Sequence, residues 1–402
     1  MIHQHFFPEP GGTAKPAYEI AKYFSQNGHE VKVITEFPNR NFQSFSNYNN
    51  TPLKSEVIDN IHVFRIKNRF KYSHKSIQRM LAYFSFLVLS LFHAARLSYR
   101  EKNQIIITIQ AIPSALSGAI LNILFRKKHI FYCTDMMPDL GIVSGMLKNR
   151  FVIKFLRIFE KLTYNHSTII FAVTQMMVDE IKTRTKNQNV FVMSDWLDDD
   201  HYLSKKDKYV NMLIKKYGLN GKKVLLYIGN IGFLQNIGVF VELARKIRDK
   251  PSCKDYFFII GGTGVQAEEL QAKVKEYKLT NIKFIGVVDR EYVPSFLNLS
   301  HILLMNYLPH PHLKLYRSSK IFDYIVAQKP VLIGASGELQ ILVEKNNLGK
   351  ISEPSNIDDL YTKLLQMDKF NPTLNNQALI REYSINNVIV KFEEKLIDLR
   401  IV

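Results

Sequence analysis

"SSKIFDYIVAQKPVLIG", residues 318–334, is the stretch from which the chain is read. It predicts a helix that opens on two serines and a lysine, breaks at Gln328-Lys329-Pro330 and runs directly into a short apolar strand. Arg317, Ser318, Ser319 and Lys320 gather two cations and two hydroxyls at a helix start, where free N–H groups and partial positive charge already favour an anion. A diphosphate suits that position. Asp323, one turn further on, is a carboxylate able to accept hydrogen bonds from sugar hydroxyls. The plainer reading of the same residues is Ser318 or Ser319 as an N-cap beside a surface Lys–Asp pair.

Working outward, the same alternation of helix and β-branched strand recurs. "AYEIAKYFSQNGH" reads as an amphipathic helix ending at Gly28 and "EVKVITEF" as the strand after it. "IHVFRI", "QIIITIQ", "KHIFYCT" and "STIIFAV" follow as strands, with helices over 114–125 and 151–164 between them. The pattern breaks in the charged "DWLDDDHYLSKKDK", restarts at "KKVLLYIGNIG", and continues through "YFFIIGGTG", "IKFIGVV", "HILLMNY" and "PVLIG". Two α/β domains with parallel sheets are expected: 1–196, a linker over 197–220, 221–375, and a C-terminal helix over 376–402 that could cross back to the first domain.

The totals agree. A chain of 402 residues exceeds one ordinary core, and 46% hydrophobic residues against 22% charged leave no case for global disorder. Lys and Arg number 54 against 36 Asp and Glu, a formal +18, which favours polyanionic partners without choosing among them. Cys133 and Cys253 have no metal-ligand spacing and imply no disulfide framework. "MIHQHFFPEPGG" lacks the layout of a secretory signal, and the apolar run Met80–Ser98, interrupted by Ser85, Ser90, His93 and Arg96, reads as non-spanning.

Three glycine-bearing turns follow strands. They are "EPGGTAK" with Gly11 and Gly12, "YIGNIGF" with Gly229 and Asn230, and "IIGGTGVQ" with Gly262, Thr263 and Gly264. Open α/β sheets bind ligands at such strand ends, and together the turns suggest a phosphate-bearing substrate. Each alone is equally well a tight βα turn. No GxGxxG or GxxxxGK[ST] motif occurs, which sets aside nicotinamide and P-loop chemistry.

Ser319-Lys320, Asp323-Tyr324, Lys329-Pro330-Val331 and the following "GELQILVEKNNLG" resemble the signature region of the retaining nucleotide-sugar glycosyltransferases of family 4. "HFFPEPGGTAKPAYEIAKYFSQNGHEVKVIT", "CTDMMPD", "SDWLDDDHY", "YIGNIGFLQNIGVFVELA", "GGTGVQAEEL" and "FIGVVDREYVPSFL" extend the resemblance over nearly the whole chain. It is nearest the subgroup that builds capsule and O-antigen sugars, including colanic-acid and N-acetylfucosaminyl transferases. The resemblance implies the GT-B fold: two facing Rossmann-like domains with an interdomain cleft. It further implies transfer of a hexose or N-acetylhexosamine from a nucleotide-sugar donor, taken as UDP-linked, to a polyprenyl-diphosphate-linked or other glycan acceptor. In that scheme Asp323 binds the ribose, Lys320 with Arg317 holds the diphosphate, and Asp135 of "CTDMMPD" meets the sugar or receives the acceptor proton. Asp135 equally fits a turn-capping role before Pro138.

The chain departs from the family pattern in places. Leu315 stands where a Glu often precedes the ribose carboxylate, Asp323 is one methylene shorter than Glu, and Phe233 replaces a cation in the loop after "GNIG". The first strand also starts at "MIHQ", almost directly before its loop. No cofactor or metal is expected: "DDD" at 198–200 reads as solvated linker acid, and His3, His5, His310 and His312 as surface or packing residues.

Arg150, Lys154, Arg157 and Lys161 recur at helical spacing beside an apolar stripe of Phe151, Phe155, Ile158 and Leu162. With the cation-flanked segment carrying Phe84, Phe86 and Phe92, they suggest peripheral contact with an anionic membrane, on the cytoplasmic face. A core-packed helix with a solvated basic face is the alternative. Other readings of the chain are a non-hydrolysing nucleotide-sugar epimerase, whose Asp-Ser-Gly-Gly run is absent, and a catalytically lapsed nucleotide-sugar or polyanion-binding protein. No nucleic-acid-binding motif is found.

Overall fold

A computed structural model describes residues 1–9, 12–38, 53–68, 70, 76–101, 103–110, 112–370 and 377–401. The chain divides into two compact units, Met1–Met193 with Ile389–Val402, and Ser194–Val388.

The first unit carries strands β1 (Lys32–Glu36), β2 (Leu53–Ile58), β3 (Ile61–Ile66), β4 (Ile105–Ile109), β5 (Lys128–Cys133), β6 (Ile169–Ala172) and β7 (Val190–Val192). Its helices are α1 (Ala14–Gln26), α2 (Ser76–Arg100), α3 (Ile112–Phe125), α4 (Asp139–Val143), α5 (Arg150–Asn165) and α6 (Gln175–Arg184). β1 pairs parallel with β3, and β4, β5, β6 and β7 pair parallel in that order. β2 departs from the expected parallel pattern, running antiparallel to β3. Asp59 and Asn60 join the two with φ of 48° and 62°, the two-residue turn whose positive φ values match strand twist.

The N-terminal residues tie the halves of this sheet together. Ile2 bridges both Ile34 and Thr108 in parallel, and His3 N–H donates to the Ile34 carbonyl. Residues 1–4 therefore lie between β1 and β4, where the winding of the sheet reverses. Open α/β sheets place ligands outside the strand ends at such a reversal.

In α2, Ala82, Phe86, Ser90, Ala94 and Ser98 recur every four residues and are all buried. Phe86 and Ala94 join a core with Ile2, Ile34, Ile66, Ile106 and Leu121, and the Ser90 hydroxyl lies 3.1 Å from that of Ser117 on α3. The opposite face leaves Met80, Phe84, Val88 and Phe92 exposed. Met80–Tyr99 is long and apolar enough to cross a membrane, and in this fold it forms one layer over the sheet.

The second unit is a six-stranded, wholly parallel sheet of β8 (Lys223–Ile228), β9 (Tyr256–Gly261), β10 (Ile282–Gly286), β11 (Ile302–Asn306), β12 (Val331–Gly334) and β13 (Gly349–Ser352), in the order β10-β9-β8-β11-β12-β13. Its helices are α7 (Asp199–Leu203), α8 (Val210–Tyr217), α9 (Gly238–Ile247), α10 (Ala267–Glu276), α11 (Val293–Leu299), α12 (Lys320–Ala327), α13 (Glu338–Lys345), α14 (Ile357–Met367) and α15 (Gln377–Glu382). Phe240, Phe258, Ile260 and Leu304 lie wholly inside its core, each contributing on the order of 2 kcal/mol by burial.

Residues 197–220, read from their charge as a linker, instead carry α7 and α8 and belong to this unit. Asp198 is not simple solvated acid: it caps α7 by accepting from His201 N–H and pairs with Arg290 at 2.8 Å. The last helix, α16 (Ile385–Asp398), starts in the second unit, and from Ile389 the chain belongs to the first. There Phe392 packs edge-on against Phe24 and Phe171, and Tyr23 donates to Glu393 at 2.7 Å.

Candidate active site

In the second unit the winding reverses between β8 and β11, and the residues singled out from sequence converge on that edge. β8 ends into Gly229-Asn230-Ile231, and β9 ends into Gly262-Thr263-Gly264. The two loops are stitched together by Gly229 N–H to the Gly261 carbonyl and Ile231 N–H to the Thr263 carbonyl, both at 2.9 Å. Gly262 has φ of +120°, and a Cβ there would fall 1.8 Å from the Gly229 carbonyl oxygen. Its glycine is thus required by loop-to-loop packing. A Cβ on Gly264 would likewise meet the Ile231 carbonyl at 2.4 Å. Asn306, at the end of β11, donates to the Gln235 carbonyl and accepts from Ser355 N–H, fastening the far side of the β8 loop.

Gly229 serves differently. A Cβ on it would lie 2.0 Å from Lys320 Cε and 2.7 Å from Nζ, so the bare glycine is the space that the lysine occupies. Lys320 opens α12, and its ammonium lies 5.9 Å from the centre of the Tyr227 ring. The Tyr227 hydroxyl in turn donates to the Asn230 carbonyl. Burial pushes the Lys320 pKa down, and the charge of Asp323 only partly opposes it. Among the described residues this ammonium forms no ion pair. A largely buried cation held in no ion pair, at the strand ends of an α/β sheet, has the chemistry of an anion site.

Ser319 occupies the N-cap position of α12, but its side chain makes no capping bond, so the plainer N-cap reading of that residue does not hold. Asp323 is exposed on the first turn of the helix. Arg317 is engaged elsewhere. Its Nη2 donates to Ser194 Oγ at 2.7 Å, and its guanidinium lies over the Phe322 and Tyr383 rings at 5.4 and 5.3 Å. Phe233 stands half exposed in the β8 loop where a cation was expected by resemblance.

In the first unit Asp135 follows β5. Its carboxylate accepts from Gln110 Nε2 at 2.6 Å, and burial raises its pKa above the ordinary aspartate value despite that bond. Gln110, at the end of β4, holds φ of +49°, uncommon for a residue with a side chain. Gly12 lies just before α1 with φ of +56°, whereas Gly11 falls outside the described residues. His3 and His5, read from sequence as surface or packing residues, are both buried and hydrogen-bonded, His5 to Glu9 at 2.8 Å. No cluster of three or more metal-ligating side chains occurs among the described residues.

The basic stripe on α5 needs correction. Asn149 caps this helix, and Arg150, Lys154 and Lys161 are exposed along it. Arg157, however, is half buried and paired with Asp139 and Glu160, while Arg184 joins Asp139, Glu160 and Glu180. Helical spacing could not reveal a partner on α4. Phe151, Phe155 and Ile158 stand exposed, as on α2.

Residues 10–201 match the family described as Glycosyltransferase Family 4, and residues 211–378 match Glycosyl transferases group 1. The chain is a GT-B glycosyltransferase of group 1. It is similar to an Escherichia coli (strain K12) protein named for colanic acid biosynthesis, the glycosyl transferase WcaI, with 25% identity over 73% of each chain. Its fold is shared with Anabaena Alr3699/HepE, solved in complex with UDP and glucose, at 14% identity, a TM-score of 0.71 and 98% coverage of both chains. Sucrose-phosphate synthase from Thermosynechococcus elongatus shares it at 14% identity and a TM-score of 0.75, over 99% of this chain and 98% of that one.

Proposed function

We propose that this glycosyltransferase moves a hexose or N-acetylhexosamine, with retention at the anomeric carbon, from a UDP-linked donor to a polyprenyl-diphosphate-linked or other glycan acceptor in surface polysaccharide synthesis. The observation that carries the reading is the largely buried Lys320 ammonium beside Gly229, held in no ion pair among the described residues. As the sugar departs, charge gathers on the leaving diphosphate, and a fixed cation there lowers the barrier by stabilising charge that develops in the transition state. Asp323 takes the ribose hydroxyls. Asp135 meets a hydroxyl of the sugar or receives the acceptor proton, for which it must be ionised. The ring packing and Ser194 bond of Arg317 leave Lys320 as the principal phosphate cation. The chemistry calls for no metal. That UDP accompanies Alr3699/HepE, and that WcaI is named for colanic acid, support the donor and pathway class.

Calorimetric titration with UDP, GDP and CMP tests the site: UDP should bind tightest, and Lys320→Ala should weaken it at least about tenfold, the loss of one charge-assisted contact. Equal, weak binding of all three by both proteins would reject the reading.

The acceptor class implies a lipid surface, and we place the protein peripherally on the cytoplasmic face of the membrane. Met80, Phe84, Val88 and Phe92 of α2, with Phe151, Phe155 and Ile158 of α5, offer exposed apolar side chains, accompanied on α5 by Arg150, Lys154 and Lys161. Each cation near an anionic surface adds about 1 kcal/mol. The protein should sediment with vesicles containing anionic lipid, and neutralising Arg150, Lys154 and Lys161 together should release it. Arg157 is left intact because it holds α5 to α4. Sedimentation independent of lipid charge would remove this part of the proposal.

A further inference from the structure

We infer that His3 is a positioning residue for Asp135, acting through the Thr13 hydroxyl and the Gln110 amide to hold that carboxylate ionised and in place. This rests on the reading of Asp135 as the group that meets a substrate hydroxyl. The link is a continuous chain of hydrogen bonds inside the first unit. His3 Nε2 lies 2.9 Å from Thr13 Oγ1, Thr13 Oγ1 lies 2.7 Å from Gln110 Oε1, and Gln110 Nε2 lies 2.6 Å from Asp135 Oδ2. Its members come from N-terminal residues 1–4, the start of α1, and the ends of β4 and β5, all at the point where the sheet reverses its winding.

Two features show that the chain is built at a cost to local structure. Thr13 occupies the N-cap position of α1, where a threonine hydroxyl ordinarily accepts from the helix, yet it makes no capping bond and turns to His3 and Gln110. Gln110 keeps a left-handed backbone that disfavours a side chain, while its amide spans Thr13 and Asp135.

Hydrogen-bond direction supplies the coupling. His3 Nδ1 lies 2.9 Å from the Ile109 carbonyl, which only accepts, so Nδ1 carries a proton. If Nε2 is protonated as well, it donates to Thr13, Thr13 donates to Gln110 Oε1, and the Gln110 N–H is turned to an ionised Asp135. If Nε2 is bare, Thr13 donates to it, the Gln110 amide reverses, and Asp135 must carry the proton to donate to Oε1. The two arrangements hold the same number of protons. An imidazolium at His3 thus goes with a carboxylate at Asp135, opposing the burial that favours the protonated acid. Among the described residues, the other titratable groups facing the chain are His5, paired with Glu9 and edge-on to His3 at 6.3 Å, and Cys133, Glu160 and Tyr164, which share a small cavity with Asp135.

The test uses the full chain and steady-state kinetics with donor and acceptor. Thr13→Val keeps the shape and removes the hydroxyl. It should lower kcat at least about tenfold with the donor KM within about twofold, and shift the acidic limb of the kcat profile to higher pH. Thr13→Ser should recover most of that loss, and Gln110→Leu should reproduce the Thr13→Val effect. Wild-type kcat and pH profile in Thr13→Val would overturn the inference, as would an equal loss in Thr13→Ser, which would mark a packing effect. Asp135→Asn separates the two layers. If it abolishes turnover while Thr13→Val and Gln110→Leu leave it intact, only the role of His3 falls. If Asp135→Asn turns over normally, the reading of Asp135 falls, and the inference with it.

Discussion

Adding one methyl group at Gly229 should disable the catalyst without unfolding it. In Gly229→Ala the new Cβ would lie 2.0 Å from Lys320 Cε and 2.7 Å from Nζ. Carbon atoms settle at about 3.5–4.0 Å, so the lysine must retreat by roughly 1.5 Å or more. Gly229 does not occupy the left-handed region, so alanine brings no backbone strain, and the cost falls on a flexible side chain. A displacement on the order of 1 Å is enough for about a hundredfold loss of rate. Removing one group that stabilises developing negative charge costs about 10²–10³ in kcat. Gly229→Ala should therefore lose about a hundredfold in nucleotide release measured at saturating donor, with little change in melting temperature. Because the substitution acts through Lys320, the double variant with Lys320→Ala should be no worse than Lys320→Ala alone. Wild-type kcat in Gly229→Ala, or losses that multiply in the double variant, would refute the reasoning.

Three further outcomes follow from the same geometry. Burial lowers the Lys320 pKa and a bound diphosphate favours the charged form, so nucleotide affinity should fall as pH rises through the lowered value, with proton uptake on binding at alkaline pH; calorimetry in buffers of different ionisation enthalpy measures it. The folded-state pKa of Asp135 is raised, so stability falls as pH rises from the ordinary aspartate value through the raised one. Asp135→Asn should remove that part of the fall in urea unfolding midpoints while abolishing turnover. Phe392→Ala, which empties a contact with both Phe24 and Phe171, should cost about 3 kcal/mol in denaturant unfolding, an amount a surface position would not show.

Local pattern carried much of this molecule. The alternation of β-branched runs with amphipathic helices placed every named strand except β2, β7 and β13, because a buried parallel strand leaves a continuous apolar run in sequence, which the three- and four-residue β7 and β13 are too short to show. Lys320 and Gly229 were legible as a helix start and a βα turn, though their contact, across 91 positions, was not. β2 escaped notice because "LKSEVI" lacks a clean apolar–polar alternation and its Asp59-Asn60 turn carries no glycine to mark a hairpin. Charge misled twice. The acids of 198–200 looked solvated, yet Asp198 caps a helix and pairs with Arg290. Arg157 fitted a basic stripe, yet Asp139, 18 positions back, claims it. Periodicity reports which face of a helix a side chain occupies, not what another element brings to it. The chain from His3 to Asp135 joins residues as far as 132 positions apart, so no local window could contain it.

The most direct test is the structure of the full chain with UDP bound. The account predicts diphosphate oxygens within about 3 Å of Lys320 Nζ and the ribose hydroxyls at Asp323. A nucleotide ordered elsewhere, with the Lys320 ammonium untouched beside Gly229, would contradict it.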